Sequence, residues 1–159
     1  MNRDSWRVAY RDILPATVIA GRTVEEWEPR WREFLAADET RQIWVAESGE
    51  SVVGYASASL SRDPDASTQT GEVPSIYLAP SHYSTGVGRE LFATAVDWLA
   101  ERFDRATLWV LRDNARARRF YELAGWSFDG LEQSIDFGGF EAIEVRYAVQ
   151  FETGPHKPR

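Results

Sequence analysis

A glycine-containing loop, Tyr83-Ser84-Thr85-Gly86-Val87-Gly88, joins an apolar segment to a segment with helical periodicity. The first backbone N–H groups of a helix have no partner inside the helix, and the helix dipole makes that end positive. Gly86 and Gly88 carry no side chain that would keep a ligand away from the backbone. The loop therefore predicts a binding site for an anion such as a pyrophosphate.

Two well-known phosphate motifs do not fit this loop. No Gly-Lys-Ser/Thr follows it, which excludes a P-loop. Leu91 occupies the position of the third glycine in the dinucleotide motif G-x-G-x-x-G, which excludes that motif as well. Taken alone, the loop is equally compatible with a turn that uses flexible glycines.

A second stretch, from Asn114 to Trp126, follows the next apolar segment. Asn114 and Tyr121 are seven residues apart, which places them on one face of a helix. Several arginines lie in or beside this helix, although the whole chain has a net charge of -7. A phosphate-rich ligand would account for this local excess of positive charge. The arginines are Arg112, Arg116, Arg118 and Arg119.

Composition excludes several other kinds of chemistry. The chain has no cysteine, which excludes thiol catalysis, disulfides and cysteine-based zinc sites. Two histidines without any cysteine do not predict a metal site. His82 is not expected to be catalytic, because it precedes the loop and has no evident nucleophile partner, and His156 lies in a polar tail. The acidic net charge disfavours nucleic-acid binding and suits a cationic substrate such as an amine. We therefore expect no metal and no nucleic-acid partner.

Helical and strand-like segments follow one another along the chain. Two helices are expected first, one ended by Pro15, and a hairpin of strands comes next. Such an order predicts a mixed α/β sheet with helices on its faces. The predicted helices cover residues 5–14, 23–37, 86–102 and 114–124, and the predicted strands cover 42–46, 52–60, 72–78 and 106–111, with two or three more strands in 126–151 around a Gly138-Gly139 turn.

The chain is expected to form one domain over residues 1–151, with a frayed tail over 152–159. No apolar run reaches the roughly 18 residues that a membrane helix needs, and the first residues carry no apolar signal segment. The sequence therefore predicts a cytoplasmic protein without membrane contact.

Together, the loop and the arginine-rich helix resemble the GNAT superfamily of N-acetyltransferases. In that family a loop of pattern Gln/Arg-x-x-Gly-x-Gly/Ala binds the pyrophosphate of coenzyme A, and Gly86 and Gly88 match its glycines. The resemblance extends roughly from Trp6 to Tyr147. The family's helical motif, Asn-x-x-Ala-x-x-Phe-Tyr-x-x-x-Gly-Phe/Trp, is matched by Asn114, Ala117, Phe120, Tyr121, Gly125 and Trp126.

This resemblance implies a mostly antiparallel, twisted sheet and transfer of an acetyl group from acetyl-CoA to a primary amine. It implies that strand residues before the loop meet the pantetheine arm through their backbone, as an added strand would. The residues implied to contact the cofactor are Ile76, Tyr77, Leu78, Tyr83, Ser84, Thr85, Gly86, Val87, Gly88, Arg89, Asn114, Arg119 and Tyr121.

Two residues have implied catalytic roles. Tyr121 matches the tyrosine that protonates the departing thiolate in the family, and its alternative role is that of a packed aromatic. Glu72 begins the strand that leads to the loop, where many relatives place a carboxylate general base that acts through a water molecule. The alternative for Glu72 is an exposed charge at the end of a strand.

The sequence departs from the family pattern at two points. Tyr83 stands where the family has Gln or Arg, so we expect weaker contact with the pyrophosphate there, while the backbone N–H groups keep their role. Relatives also carry a strand before the helix that contains Trp6, so the first strand of the fold is expected to be truncated or missing, which would expose a sheet edge.

The acceptor is not readable from the sequence. A small-molecule amine, a protein N-terminus and a lysine side chain all remain open, and so does a sensor domain that binds acyl-CoA without turnover. A homodimer is expected from the family's habit and from the aromatic residues in the last strands.

Overall fold

The computed structural model describes residues 2–20, 28, 32–33, 35–36 and 40–152. Most of the predicted helix over 23–37 and the tail beyond Glu152 lie outside these described residues. The helices are α1 (Asn2–Tyr10), α2 (Ala16–Ala20), α3 (Val87–Ala100) and α4 (Ala115–Leu123), with a 3-10 turn at Pro80–His82. The strands are β1 (Arg41–Ser48), β2 (Ser51–Leu60), β3 (Thr70–Leu78), β4 (Arg105–Leu111), β5 (Ser127–Asp136) and β6 (Glu141–Gln150).

The first predicted helix, over residues 5–14, is wrong in its extent, because α1 ends at Tyr10 and a second short helix, α2, follows Pro15. The N–H groups of Ile13 and Leu14 both bond to the carbonyl of Tyr10, which closes α1 with a turn. The residue before a proline avoids the helical conformation, so the helix does not reach Pro15. Proline is well suited to open a helix, and the Pro15 carbonyl accepts the N–H of Val18 at the start of α2.

The six strands form one sheet in the order β1-β2-β3-β4-β6-β5. Every neighbouring pair is antiparallel except β3 and β4, which confirms the predicted mixed, mostly antiparallel sheet. Apolar residues of α3 and α4 form the main core on one face, and α1 and α2 pack with a second apolar cluster. Within the described residues, β1 pairs only with β2, so its other side is a sheet edge.

The parallel pair of β3 and β4 is short. Only residues 70–72 pair with 105–107, although β3 runs on to Leu78 and β4 to Leu111. A β-bulge precedes the divergence, since Ser59 lies opposite Glu72 whereas Ser57 lies opposite Ser75, which leaves one extra residue on β3. That bulge contains Pro74, which has no N–H to donate to a neighbouring strand. The two strands therefore separate and leave a wedge-shaped gap in the sheet.

Helix α3 packs closely on the start of β3, and this contact depends on Gly71. A Cβ atom added at Gly71 would overlap the buried side chains of Leu99 and Phe103. Gly88, in contrast, has an ordinary negative φ and would place a Cβ 3.4 Å from Leu78, which is normal contact.

We predict that Gly71→Ala destabilises the protein by about 1–3 kcal/mol, the range for an overpacked core. Chemical denaturation monitored by tryptophan fluorescence measures the change. The control, Gly88→Ala, should shift the free energy of unfolding by less than about 0.5 kcal/mol. Equal unfolding midpoints for the parent and Gly71→Ala would contradict the close approach.

Candidate active site

The glycine loop has the geometry of an anion site. Ser84 and Gly86 both have positive φ angles, 63° and 95°, so the backbone curls and directs successive N–H groups to one side. The Thr85 hydroxyl donates to the carbonyl of His82 at 2.7 Å and holds the curl. The Gly86 carbonyl accepts the N–H groups of Arg89 and Glu90, which starts α3. Within the described part of the chain, the N–H groups of residues 84–88 have no acceptor.

The edge of β3 that faces the gap carries backbone groups of alternate residues. Ala79 donates its N–H to the carbonyl of Val53 in β2. Alternate residues of an antiparallel strand direct their backbone groups to the same neighbour, so the backbone groups of Tyr77 also face β2. Ile76 and Leu78 therefore point their N–H and C=O groups into the gap. One of these groups already has a partner, because the hydroxyl of the buried Ser5 in α1 donates to the Leu78 carbonyl at 2.7 Å. An extended ligand could pair with the others.

The side chain of Tyr121 comes from α4 and is 8% exposed. Its ring packs against Phe92, Phe120 and Tyr147, with centroid separations of 5.4, 5.5 and 6.3 Å. Burial raises the pKa of the Tyr121 phenol above its ordinary value, and the nearby Tyr77 raises that pKa further. Tyr121 is therefore a neutral, proton-carrying group at physiological pH.

Two more side chains contact the phenol of Tyr77. The indole N–H of Trp6 donates to the Tyr77 hydroxyl at 3.2 Å, and the side chain of Tyr10 is hydrogen-bonded to Tyr77. Burial is the main cause that raises the pKa of Tyr10, and the neighbouring Tyr77, Tyr121 and Glu144 add to it. We did not identify Trp6, Tyr10 or Glu144 as site residues from the sequence. The four-residue spacing of Trp6 and Tyr10 on one helix face was the available signal.

Glu72 is buried rather than exposed, so the alternative of a charge at the strand end is wrong. Oε1 of its carboxylate accepts bonds from the Ser59 hydroxyl at 3.3 Å and from the Arg62 guanidinium at 2.5 Å. Oε2 accepts the Arg62 backbone N–H at 3.3 Å. A carboxylate offers about four acceptor positions, so one remains for a water molecule.

The structure does not place Glu72 against Tyr121. Five residues of strand, or roughly 16 Å at 3.3 Å per residue, separate Glu72 from Tyr77. Residues opposite each other on neighbouring strands share one face of the sheet. On the face that carries Glu72 and Tyr77, the residues of β2 and β3 that lie between these two side chains carry hydroxyl groups. Ser57 and Ser75 share a hydrogen bond of 2.8 Å, and Ser75 also bonds the Tyr55 side chain. A row of hydroxyls thus lies between Glu72 and the phenol cluster.

The arginine cluster separates into groups with different partners. Arg118 turns inward, where it donates to the Tyr147 hydroxyl and to the Arg112 carbonyl, both at 3.0 Å. Arg116 lies over the ring of Tyr83, with its guanidinium carbon 3.7 Å from the ring centroid. Arg119 is exposed on α4.

Asn114 is the N-cap of α4. Its Oδ1 accepts the N–H of Ala117 at 3.1 Å, which is the structural role that the sequence left open for it. Its side-chain N–H₂ is the group that remains to bind a ligand.

A buried ion-pair network holds the loop of residues 61–69 to the sheet. The guanidinium of Arg146 pairs with Asp63, Asp65 and Asp129 at 2.6 to 3.0 Å and is 4% exposed. Asp63 also accepts the indole N–H of Trp109 at 2.8 Å. These carboxylates raise the pKa of Arg146 further above its already high value. The loop of residues 61–69 is therefore held to the sheet by ion pairs.

The described residues contain no group of three or more His, Cys, Asp or Glu side chains that could hold a metal ion. His82 forms a hydrogen bond with the neighbouring Ser81 hydroxyl at 3.0 Å. None of the described helices is long and apolar enough to cross a bilayer.

A family model described as acetyltransferase (GNAT) family matches residues 5–126 of the chain. The uncharacterized N-acetyltransferase YuaI of Bacillus subtilis is 29% identical over 113 residues, which cover 70% of this chain and 62% of YuaI. An uncharacterized N-acetyltransferase of Mycobacterium tuberculosis, Rv2669, is 35% identical over 105 residues, covering 64% of this chain and 62% of that protein. The chain thus spans about 62% of the length of these relatives.

A solved structure has the same fold. The PaiA N-acetyltransferase from Thermoplasma acidophilum, determined in complex with coenzyme A, superposes with a TM-score of 0.67. The match covers 94% of this chain and 87% of that structure at 17% sequence identity, which shows similarity of fold.

The buried phenols lead to a prediction for alkaline pH. Burial raises the pKa of Tyr10 and Tyr121 in the folded state, so the unfolded state loses these protons first. The free energy of unfolding should stay level below about pH 10 and fall above it, by ~1.4 kcal/mol per pH unit for each such phenol. Urea denaturation at several alkaline pH values measures the slope. Tyr121→Phe should make the slope shallower by one phenol, and an unchanged slope would contradict the raised pKa.

Proposed function

The chain belongs to the acetyltransferase (GNAT) family, and we propose that it transfers an acetyl group from acetyl-CoA to a primary amine by direct attack in a ternary complex. One observation carries this proposal: the gap between β3 and β4 opens beside a loop whose N–H groups are aimed at an anion. Acetyl-CoA has the matching chemistry, since a pyrophosphate is linked to an extended arm that ends in a thioester.

We assign the pyrophosphate to the N–H groups of Ser84–Gly88 and the start of α3, because a helix N-terminus stabilises anions. The pantetheine arm would pair with Ile76 and Leu78 along the open edge of β3. Asn114 would offer its side-chain N–H₂ to the same arm. The N–H groups of the β3 edge would also polarise the thioester carbonyl, as backbone donors do in an oxyanion hole.

Amide formation requires three proton and electron movements. The acceptor nitrogen, once deprotonated, forms the C–N bond at the thioester carbonyl carbon. The C–S bond then breaks, and sulfur takes the electron pair. In our proposal Glu72 receives the proton of the acceptor ammonium through water, and Tyr121 gives its phenolic proton to the sulfur. The attacking nitrogen loses a second proton as the amide forms, and this proton restores the Tyr121 phenol through water.

A buried phenol is suited to this second role in one specific respect. Its raised pKa makes it a weak acid, so by itself it would release its proton reluctantly. The same low-dielectric surroundings disfavour a thiolate, which raises the proton affinity of the leaving sulfur. Because Tyr121 and the thiolate would share the gap, burial raises the proton affinity of both groups, so it does not by itself oppose proton transfer from the phenol to the sulfur.

Glu72 would act at a distance from the thioester. The hydroxyl row of Ser59, Ser57, Ser75 and Tyr55 occupies the sheet face between the carboxylate and the phenol cluster. Hydroxyl groups both donate and accept, so they can order the water molecules that a proton would cross. This arrangement supports Glu72 as a remote base.

The test is the release of free CoA from acetyl-CoA in the presence of a panel of amines. Amine-dependent release at a rate above hydrolysis supports the transferase. A chain that binds acetyl-CoA, as shown by an increase in melting temperature, but never releases CoA would be a sensor instead. Gly86→Val serves as the binding-deficient control, because valine does not tolerate a φ of +95° and its side chain would stand where the phosphate sits.

We predict that Tyr121→Phe lowers kcat by about 10²- to 10⁴-fold, the usual contribution of a general acid. The ring keeps its packing, so the dissociation constant of acetyl-CoA should change little. Tyr147→Phe is a matched control, since it removes a buried hydroxyl that is turned toward Glu122. If Tyr121→Phe turns over at the parent rate with a good acceptor, the tyrosine is structural.

We predict that Glu72→Gln moves the acidic limb of the pH–rate profile to higher pH, because the acceptor then lacks its base. At high pH the amine loses its proton unaided, and the variant should recover much of the parent rate. The exposed Glu47→Gln on β1 is the control and should leave the profile unchanged. A uniform loss of rate at every pH would assign Glu72 a structural role through Ser59 and Arg62.

A further inference from the structure

A cation at the phosphate loop comes from the neighbouring helix. Tyr83, the first residue of the loop, has no charge to offer an anion. Arg116 of α4 fills this position from the other side, with its guanidinium carbon 3.7 Å from the centroid of the Tyr83 ring. The ring is half-buried, while Arg116 is exposed.

We propose that Arg116, held on the ring of Tyr83, binds a phosphate group of CoA, and that the two side chains act as one unit. This inference rests on the proposed function, since it assumes that the loop receives the phosphates of CoA. The shared chemistry is a phosphate dianion or diester, which either the pyrophosphate or the 3′-phosphate of CoA can supply.

The position of Arg116 within its helix supports this proposal. The N-terminus of a helix is positive, so acidic side chains are favoured in its first turn and basic ones are not. The first turn of α4 contains no acidic residue and includes Arg116. An anion bound there would reverse the unfavourable interaction, since it would face both the guanidinium and the helix terminus. Local violations of this kind are typical of functional sites.

Two other arginines of the cluster, Arg112 and Arg118, have other partners, and Arg119 is exposed and makes no hydrogen bond, ion pair or ring contact with the loop among the described residues. Arg118 is bonded to Tyr147 and to the carbonyl of Arg112. Arg112 lies beside Asp113 at 3.9 Å. Within the described residues, Arg116 has no carboxylate partner, and the Tyr83 ring is the contact that the structure gives it. Arg116 is therefore the arginine whose donors are best placed for an anion at the loop.

The contact with Tyr83 explains how the exposed side chain of Arg116 can bind a phosphate group tightly. A guanidinium attracted to the face of a ring keeps its N–H donors for hydrogen bonding. The ring also limits the rotamers of a long side chain, so less conformational entropy is lost when the phosphate binds. Removal of either side chain should then weaken binding to a similar degree, and removal of both should not double the effect.

Isothermal titration calorimetry with CoA tests the proposal. Arg116→Ala and Tyr83→Ala should each raise Kd by about 10- to 100-fold, the value of a charge-assisted hydrogen bond. The Kd of the double variant for CoA should be about equal to the larger of the two Kd values of the single variants. Tyr83→Phe keeps the ring and should bind like the parent. Arg116→Lys keeps the charge without the planar fork and should fall between the parent and Arg116→Ala.

Arg102→Ala is the matched control. Arg102 also lies over an aromatic ring, because its guanidinium carbon is 4.5 Å from the centroid of the Trp98 ring. This contact is at the opposite end of α3 from the glycine loop. It should leave the Kd of CoA unchanged, and melting temperatures confirm that each variant is folded. A second titration with 3′-dephospho-CoA identifies the group: a penalty that persists assigns Arg116 to the pyrophosphate, and one that vanishes assigns it to the 3′-phosphate.

Two outcomes would overturn the inference in different ways. If the parent binds CoA and Arg116→Ala binds it equally well, the Arg116 proposal is wrong while the proposed function stands. If the parent binds no CoA at all, the proposed function is wrong and this inference falls with it. Fully additive losses in the double variant would show that the two side chains act separately, which contradicts the single unit.

Discussion

The divergence of β3 from β4 after three paired residues is the constraint on which the site depends. Continued parallel pairing would use the backbone groups of Ile76 and Leu78 for the sheet itself. The bulge at Val73 and Pro74 ends that pairing, because proline has no N–H and the extra residue bends the strand. The divergence therefore leaves hydrogen-bonding groups outside the sheet, and in our proposal a ligand uses them. Since β3 leads through a short turn into the N–H loop, the open edge and the anion site are continuous.

The side chains that cluster around Tyr77 are mostly neutral, and this has a physical reason. A buried charge without a partner is expensive, whereas a phenol or an indole places a polar group in the interior as a neutral species. Trp6, Tyr10, Tyr77 and Tyr121 form this cluster. Charged side chains lie farther away, with Glu72 and Arg62 where β3 and β4 are still paired and Arg116 beside the glycine loop.

The sequence was most informative where chemistry is local. The order of the strands, the helix after the loop and the N-cap at Asn114 follow from periodicity and from residue types, and all agree with the structure. The first helix was misjudged because Pro15 could either end one helix or begin another. Tyr10, Ser5 and the Arg116–Tyr83 contact depend on residues that are far apart in the chain, and spacing along one segment carries no information about such contacts. The sequence left the burial of Glu72 open for the same reason, since Arg62 and Ser59 lie on other segments.

The ion pairs of Arg146 have a consequence for the order in which the molecule assembles. Asp63 and Asp65 lie 83 and 81 residues before their common partner. The loop of residues 61–69 therefore leaves the ribosome long before the strand that holds it, and it cannot take its final position until β6 has been synthesised and has paired with β4. The position of this loop is thus fixed only by β6, the last of the described strands. A nascent chain that already has the loop of residues 84–88 and α3 would still lack a fixed 61–69 loop.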